Sequence, residues 1–304
     1  MRYDIGNQYE WERIMSDFAI VTDSSCDLPA DIADRLGLTV LPLSFTLGGK
    51  EYRNFLDGRE MPIPKFYAAL RGGGMAKTSA VNTETFAAAI EPILEKGKDV
   101  LAVAFSSALS GTCSAARIAC GELAKKYPAR KLFCVDTLAA SLGQGMLIYY
   151  AALQKKAGKS LAEVRDWLEQ NKLKMCHWFT VDSLSFLKRG GRISAATALI
   201  GGMLNIKPVM HMDDGGRLAP VGKVRGRRAA LNALVDKMAD TAVEPRGQTV
   251  FISHGDSQED ADYVASEVKR RLGVKEIIIN YVGPVIGAHA GPGVIALFFF
   301  GVHR

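Results

Sequence analysis

A handful of short segments gather the side chains able to hold or transform an anion. SSALSGT, residues 106–112, follows the apolar run DVLAVAF and leads into a helical stretch. Hydroxyls at such a turn act together with free backbone N–H groups and the positive end of the helix dipole, which makes an anion site. In an open α/β sheet this turn lies outside the carboxyl end of a strand, where ligands bind. TDSSCD, residues 22–27, repeats the arrangement after the first apolar run and serves equally well as a set of caps. GAHAGPG, residues 287–293, sets His289 among glycines, where an imidazole can donate to an anion and titrates near neutrality. KRGGRIS, residues 188–194, is a basic turn suited to an anion clamp or a partner surface.

GGGMAKTSA, residues 72–80, looks at first like a phosphate loop. A Walker A loop requires Gly-x-x-x-x-Gly-Lys-Ser/Thr, and here Ala76 and Arg71 occupy the two glycine positions before Lys77 and Thr78. A helical stretch precedes these glycines, whereas a phosphate loop links a strand to the helix it starts. The segment therefore reads as a helix-to-helix loop, with Asn82 or Thr83 capping TETFAAAIEPIL. Catalytic signatures are sparse. No Gly-x-Ser-x-Gly elbow or His-Glu-x-x-His is present, and His177, His211, His254 and His289 lack metal-ligand spacing, so no metal is expected. Ser107, His289 and Asp136 form a triad only if the fold brings them together.

Strand and helix signals alternate in the elements that must position these residues. FAIVTDS, TVLPLSF, DVLAVAF and KLFCVDT read as strands; LPADIADRL, with Asp27 as N-cap, PIPKFYAALR and a stretch from about Leu138 read as helices. Repeated β-to-α units with near-continuous apolar strands indicate a parallel sheet covered on both faces. Beyond KSLAEVRDWLEQNK the texture changes. KMCHWFTV, IKPVMHM, RLAPVGKV, QTVFISH, KEIIINYV and ALFFFGV read as strands, and DDGG marks a hairpin, so a mixed sheet with helices on one side is expected. The 304 residues divide into an N-terminal α/β domain, residues 1–157, and a C-terminal mixed α/β domain, residues 158–304, with residues 1–17 a possible extra arm.

The chain is 48% hydrophobic and 23% charged, an ordinary globular balance. Its net charge of +6 is spread thinly, and the densest cluster, KVRGRR at 223–228, has no stacking aromatics around it, which argues against a nucleic-acid groove. Five scattered cysteines without Cys-x-x-Cys spacing fit reduced core thiols. No apolar stretch reaches the length of a membrane helix, so a cytoplasmic protein is expected.

TDSSCDLP, KTSAV, SSALSGT, SLSFLKRGGRIS, NIKPV and GAHAGPG, in this order, closely resemble the DegV family from about Phe18 onward. The resemblance implies a two-domain α/β architecture, an N-terminal parallel α/β/α sandwich and a C-terminal mixed-sheet domain, related to dihydroxyacetone kinase. A long-chain fatty acid would lie between the domains. It implies a carrier: the fatty-acid-binding subunit of a bacterial fatty acid kinase, active in phospholipid metabolism, which presents the carboxylate to a separate kinase subunit for conversion to acyl phosphate. The carrier itself holds no ATP and needs no cofactor. By motif position, the resemblance assigns the carboxylate to Thr78, Ser79, Ser107, Ser110 and His289, and leaves Lys77 solvated. Arg189, Arg192 and Arg225 are the candidates for docking the kinase. Two positions depart from the family pattern: Val81 replaces a proline and Cys113 an aromatic residue. The competing reading is a serine-dependent acyl hydrolase or transferase with His289 as base; a third is a regulatory module that senses a small anion.

Overall fold

The computed structural model describes residues 18–194 and 205–304; the possible arm at 1–17 and residues 195–204 lie outside the described residues. Four parallel strands form the first sheet in the order β2-β1-β6-β7: β1 (Phe18–Asp23), β2 (Thr39–Leu41), β6 (Asp99–Ala104) and β7 (Leu132–Asp136). The period of two along β6 divides its side chains between the faces. Val100, Ala102 and Ala104 pack with Phe86 and Ile90 of α3 (Thr83–Glu95) and with Ala116 and Leu123 of α4 (Thr112–Lys126). Leu101 and Val103 pack on the opposite side with α5 (Leu142–Lys156) and α6 (Leu161–Asn171). The α/β/α sandwich expected of the first half is present. Helix α6, expected with the second half, lies against β6 and β7 instead.

The second sheet is mixed and has six strands in the order β10-β9-β8-β13-β11-β12. They are β8 (Met175–Thr180), β9 (Ile206–Met212), β10 (Leu218–Arg225), β11 (Thr249–His254), β12 (Glu276–Tyr281) and β13 (Ile295–Phe300). Helices α8 (Arg227–Thr241) and α9 (Gln258–Leu272) cover one face through Leu234, Met238, Val264 and Val268. The other face meets α5, so that helix is buried between the two sheets. Two glycines permit the approach. A Cβ on Gly143 would come within 2.9 Å of the Phe298 ring, and one on Gly145 within 2.5 Å of the Cys26 carbonyl.

Two local expectations need correction. GGGMAKTSA is not a plain helix-to-helix loop: Ala76–Ser79 form β5, which pairs antiparallel with β3 (Ser44–Leu47), itself paired with β4 (Lys50–Arg53). A short polar strand of this kind exists because β3 offers it a ladder, a fact its own composition does not carry. Asn82 caps α3 as expected, accepting from the Thr85 amide at 2.8 Å. Asp27 does not cap the first helix, α1 (Ala30–Arg35), whose N-cap is Pro29; it ends a short 3-10 turn with φ of 51°. The helix expected from about Leu138 begins at Leu142. Helix α2 (Ile63–Arg71) opens on prolines as expected. Two short helices complete the described chain, α7 (Ser185–Arg189) and α10 (Pro284–Ala290), packed against each other.

Candidate functional site

A cavity of about 140 Å³ lies where β5, the turn after β6, α10 and the inner face of the mixed sheet converge. Most of its wall is apolar, with Leu109, Phe179, Leu187 and Ile286 prominent. One end is polar and includes Thr78, Ser79, Ser110, Arg192 and His289.

The imidazole is held by two motifs that read separately in the sequence. Helix α10 carries Val285, Ile286 and His289 into the cavity at helical spacing. His289 Nε2 lies 2.9 Å from Thr78 Oγ1 on β5. Its Nδ1 is buried with no hydrogen-bond partner and packs against Gly190 so closely that a Cβ there would overlap it. A ring and a Cβ cannot share that space, so the first glycine of KRGGRIS makes room for the histidine. The motifs interlock again where Gly291 leaves no gap to the Phe186 ring. Burial pushes His289 down to about 4, with the neighbouring Arg192 guanidinium adding to the shift. The imidazole is therefore neutral near pH 7, with one donor and one acceptor, and either tautomer leaves Nδ1 unsatisfied by protein.

Arg192 was expected on a docking surface, yet it forms part of the cavity wall. Its Nε and Nη2 donate to the Leu109 carbonyl at 3.2 and 3.0 Å, and Nη1 donates to the Gly190 carbonyl at 2.5 Å. Three of its five N–H groups are thereby used for positioning. This corrects the sequence reading: the half-buried guanidinium braces the SSALSGT turn against the KRGGRIS turn and brings a positive charge to the polar end. Arg189 is exposed and lies over the Phe186 ring, and Arg225 is exposed at the end of β10.

SSALSGT divides its hydroxyls among different tasks. Ser110 reaches the cavity and bonds Thr112 Oγ1 at 2.9 Å. Ser106 is buried and donates to the Gly216 carbonyl at 2.8 Å. Ser107 is exposed and lies outside the cavity lining, with its amide donating to Asp136 Oδ1 at 3.2 Å. The expected role of Ser107 on a ligand is thus not matched by its placement. Nor do Ser107, His289 and Asp136 meet as a triad, because the imidazole bonds Thr78 and Asp136 is engaged by the amides of Ser107 and Leu138. Lys77 is exposed. Val81 and Cys113 are buried core residues outside the cavity lining.

TDSSCD is an internal brace. Thr22 donates to the Val103 carbonyl at 2.6 Å, Ser24 accepts from the Leu43 amide at 3.0 Å, and Asp23 accepts from the Phe105 amide at 3.0 Å and from Gln144 at 3.1 Å. Burial raises the Asp23 pKa against these bonds. Sequence reasoning passed over three further cavity residues, Ser141, His177 and Ser253. Alternation along KMCHWFTV puts His177 on the same face as Phe179, which was the available signal. Among the described residues no cluster of side chains is arranged to hold a metal, and no helix is long and apolar enough to cross a membrane.

The geometry defines a class: an α/β protein in which a parallel and a mixed sheet enclose an apolar cavity with a hydroxyl, imidazole and guanidinium at one end. The family model described as "Uncharacterised protein, DegV family" matches residues 17–302. A DegV domain-containing protein of Clostridium perfringens is 46% identical over 94% of this chain and 98% of its own, and one of Lactococcus lactis is 35% identical over 92% and 96%. A DegV family protein from Thermus thermophilus, described by its fatty acid binding, superposes with a TM-score of 0.83 at 33% identity, covering 94% of this chain and all of the other. DegV from Bacillus subtilis, described as a fatty acid binding protein, gives 0.82 at 27% identity over 94% and 99%. The chain belongs to the DegV family.

Proposed function

We propose that this protein binds a long-chain fatty acid with its carboxylate at the Thr78–His289 end of the cavity and its tail along the apolar wall, and that it presents the carboxylate to a separate kinase subunit. The observation that carries the reading is the neutral imidazole of His289, bonded to Thr78 through Nε2 and unpartnered at Nδ1, at the polar end of an otherwise greasy cavity. Fatty acid binding by relatives of the same fold supports it.

The energetics suit a carrier. About 15 methylenes at roughly 0.8 kcal/mol each supply on the order of 12 kcal/mol before ordering costs, so the tail provides most of the affinity. The head site then has only to keep the carboxylate from being stranded. Thr78, Ser79, Ser110 and His289 offer neutral donors, and Arg192 keeps two N–H groups for the anion. By comparison with an engineered cavity of about 150 Å³ that admits benzene, the enclosed space holds only part of such a chain, so entry must part the apolar wall.

A hydrolase would need a base able to take a proton at neutral pH and a group orienting that base. His289 is lowered to about 4 and its Nδ1 has no partner, which favours binding over catalysis. Native mass spectrometry of the purified protein tests the first half of the proposal: a co-purifying mass of a long-chain acid is expected, and a well-folded sample that is empty and refuses such acids overturns it. Charge reversal at exposed Arg189 and Arg225 tests the second. Acyl phosphate formation should fall while lipid binding persists; equal loss of both refutes the docking assignment.

A further inference from the structure

The cavity has a second polar wall that a carboxylate at Thr78 and His289 does not use. Ser253 on β11 stands opposite Ala296, and Ala296 opposite Phe179, so the three share one row across the inner face of the mixed sheet. His177 lies two residues before Phe179 on the same face, about 7 Å further along the strand direction. Both polar residues line the cavity, and Ser253 is 0% and His177 5% exposed.

Their hydrogen bonding is incomplete. Ser141, at the N-cap of α5, reaches Asp27 Oδ2 at 2.6 Å and Ser253 Oγ at 3.2 Å. Ser141 has one proton and gives it to Asp27, so Ser253 donates in turn to Ser141. Ser253 Oγ keeps acceptor capacity on the cavity side. His177 Nδ1 is buried without a partner, beside the rings of Phe179 and Phe298. An all-methylene tail satisfies neither group.

The two polar walls sit at opposite ends of α10. Its entry residue Gly283 packs on the Asp27 carboxyl, where a Cβ would come within 2.6 Å, and His289 in its last turn meets Thr78. Six residues of helix separate these points by about 9 Å. An extended acyl chain advances about 1.25 Å per carbon, given C–C bonds of about 1.5 Å, so the second wall faces the chain from about the seventh carbon onward.

We infer that the cavity selects long-chain acids bearing an oxygen, a hydroxyl or a keto group, in the middle of the chain, with Ser253 or His177 as its partner. This rests on the placement of the carboxylate proposed above. A hydroxyl donates to Ser253 Oγ or bonds Nδ1 of His177 in either tautomer, and at His177 it completes a bond the folded protein leaves unmade.

Displacement of a fluorescent fatty acid measures the dissociation constants of stearic, 10-hydroxystearic and 2-hydroxystearic acids. The 10-hydroxy acid should bind about fivefold tighter than stearic acid, the worth of one net hydrogen bond, and the 2-hydroxy acid should show no such gain. Ser253→Ala or His177→Phe, whichever residue meets the oxygen, should bring the 10-hydroxy to stearic ratio to about one. Circular dichroism of each variant guards against misfolding. Equal or weaker binding of the 10-hydroxy acid overturns the inference and shows that the wall holds only water, with the carrier reading intact. A preference that survives in both variants also overturns it. Failure of all three acids to bind overturns the inference and the carrier reading together.

Discussion

Replacing Gly190 with alanine tests the head site without touching any group that bonds the ligand. Gly190 has φ of −73°, an ordinary value for alanine, so the backbone accepts the change. The added methyl, however, overlaps Nδ1 of His289 and stands 3.1 Å from both Cγ and Cε1. To regain ordinary contact the ring must move by about 1 Å or more. Thr78 Oγ1, 2.9 Å from Nε2, is then out of hydrogen-bond range. Losing one hydrogen bond to a buried charged group costs about 1.5–3 kcal/mol, which weakens carboxylate binding about ten- to hundredfold. Titration calorimetry with a long-chain acid reads the loss directly. Gly191→Ala is the matched control. That glycine has φ of +72° with open space at its Cβ, so alanine there should lower stability by about 1 kcal/mol through backbone strain. Its affinity for the acid should match the wild type. Undiminished affinity in Gly190→Ala, or equal loss in both variants, would refute the claim that this glycine seats the histidine.

Stability should depend on pH through buried groups of both signs, His289 with His177 on the acid side and Asp27 with Asp23 on the other. His289 stays neutral in the fold down to about 4 but is protonated near 6.5 when unfolded, so it costs stability, of order 3 kcal/mol in full, as pH falls from 6.5 toward 4. Buried His177, pushed down to about 3, acts on the same limb, so His289→Asn should make it shallower in urea titrations without abolishing it; an unchanged limb would assign it to the other buried groups. Asp27 holds its proton to about 8 in the fold but ionises near 3.8 when unfolded, so stability declines as pH rises across that interval. Asp27→Asn, whose amide oxygen can still accept from Ser141, should therefore be the more stable protein at pH 8, by as much as about 5 kcal/mol, and should lessen the slope, to which buried Asp23 also contributes; a less stable variant at pH 8 would contradict a protonated Asp27. Ala296→Leu should fill the wall beside Phe179 and reduce affinity for an 18-carbon acid about tenfold or more, with a stability cost of about 1–3 kcal/mol. Unaltered affinity would place the tail elsewhere.

The layers of the fold were largely readable in the chain. DVLAVAF and KLFCVDT are continuous apolar runs because both faces of the parallel sheet are covered, and DDGG joins β9 to β10 as a hairpin. The strand β5 was not readable. Its four residues, AKTS, carry little preference of their own, and their extended form comes from pairing with Ser44–Leu47. The same pairing brings Thr78 to His289, 211 positions apart in the chain.

Residue type and motif order were enough to nominate the hydroxyls, His289 and the basic turn, since those features are written locally. What each one touches depends on non-local packing. Arg192 faces inward because its guanidinium finds the Leu109 and Gly190 carbonyls, while Arg189 three positions earlier remains in solvent. Ser107 points out and Ser110 in because the turn before α4 presents them on different sides. The second polar wall joins Ser141, His177 and Ser253 from three elements, and only the meeting of α5 with the mixed sheet makes them neighbours of one cavity. Sequence supplied the chemical inventory; the tertiary fold chose which groups share a space, because contact between distant segments is settled by burial over the whole chain and not by any one stretch of it.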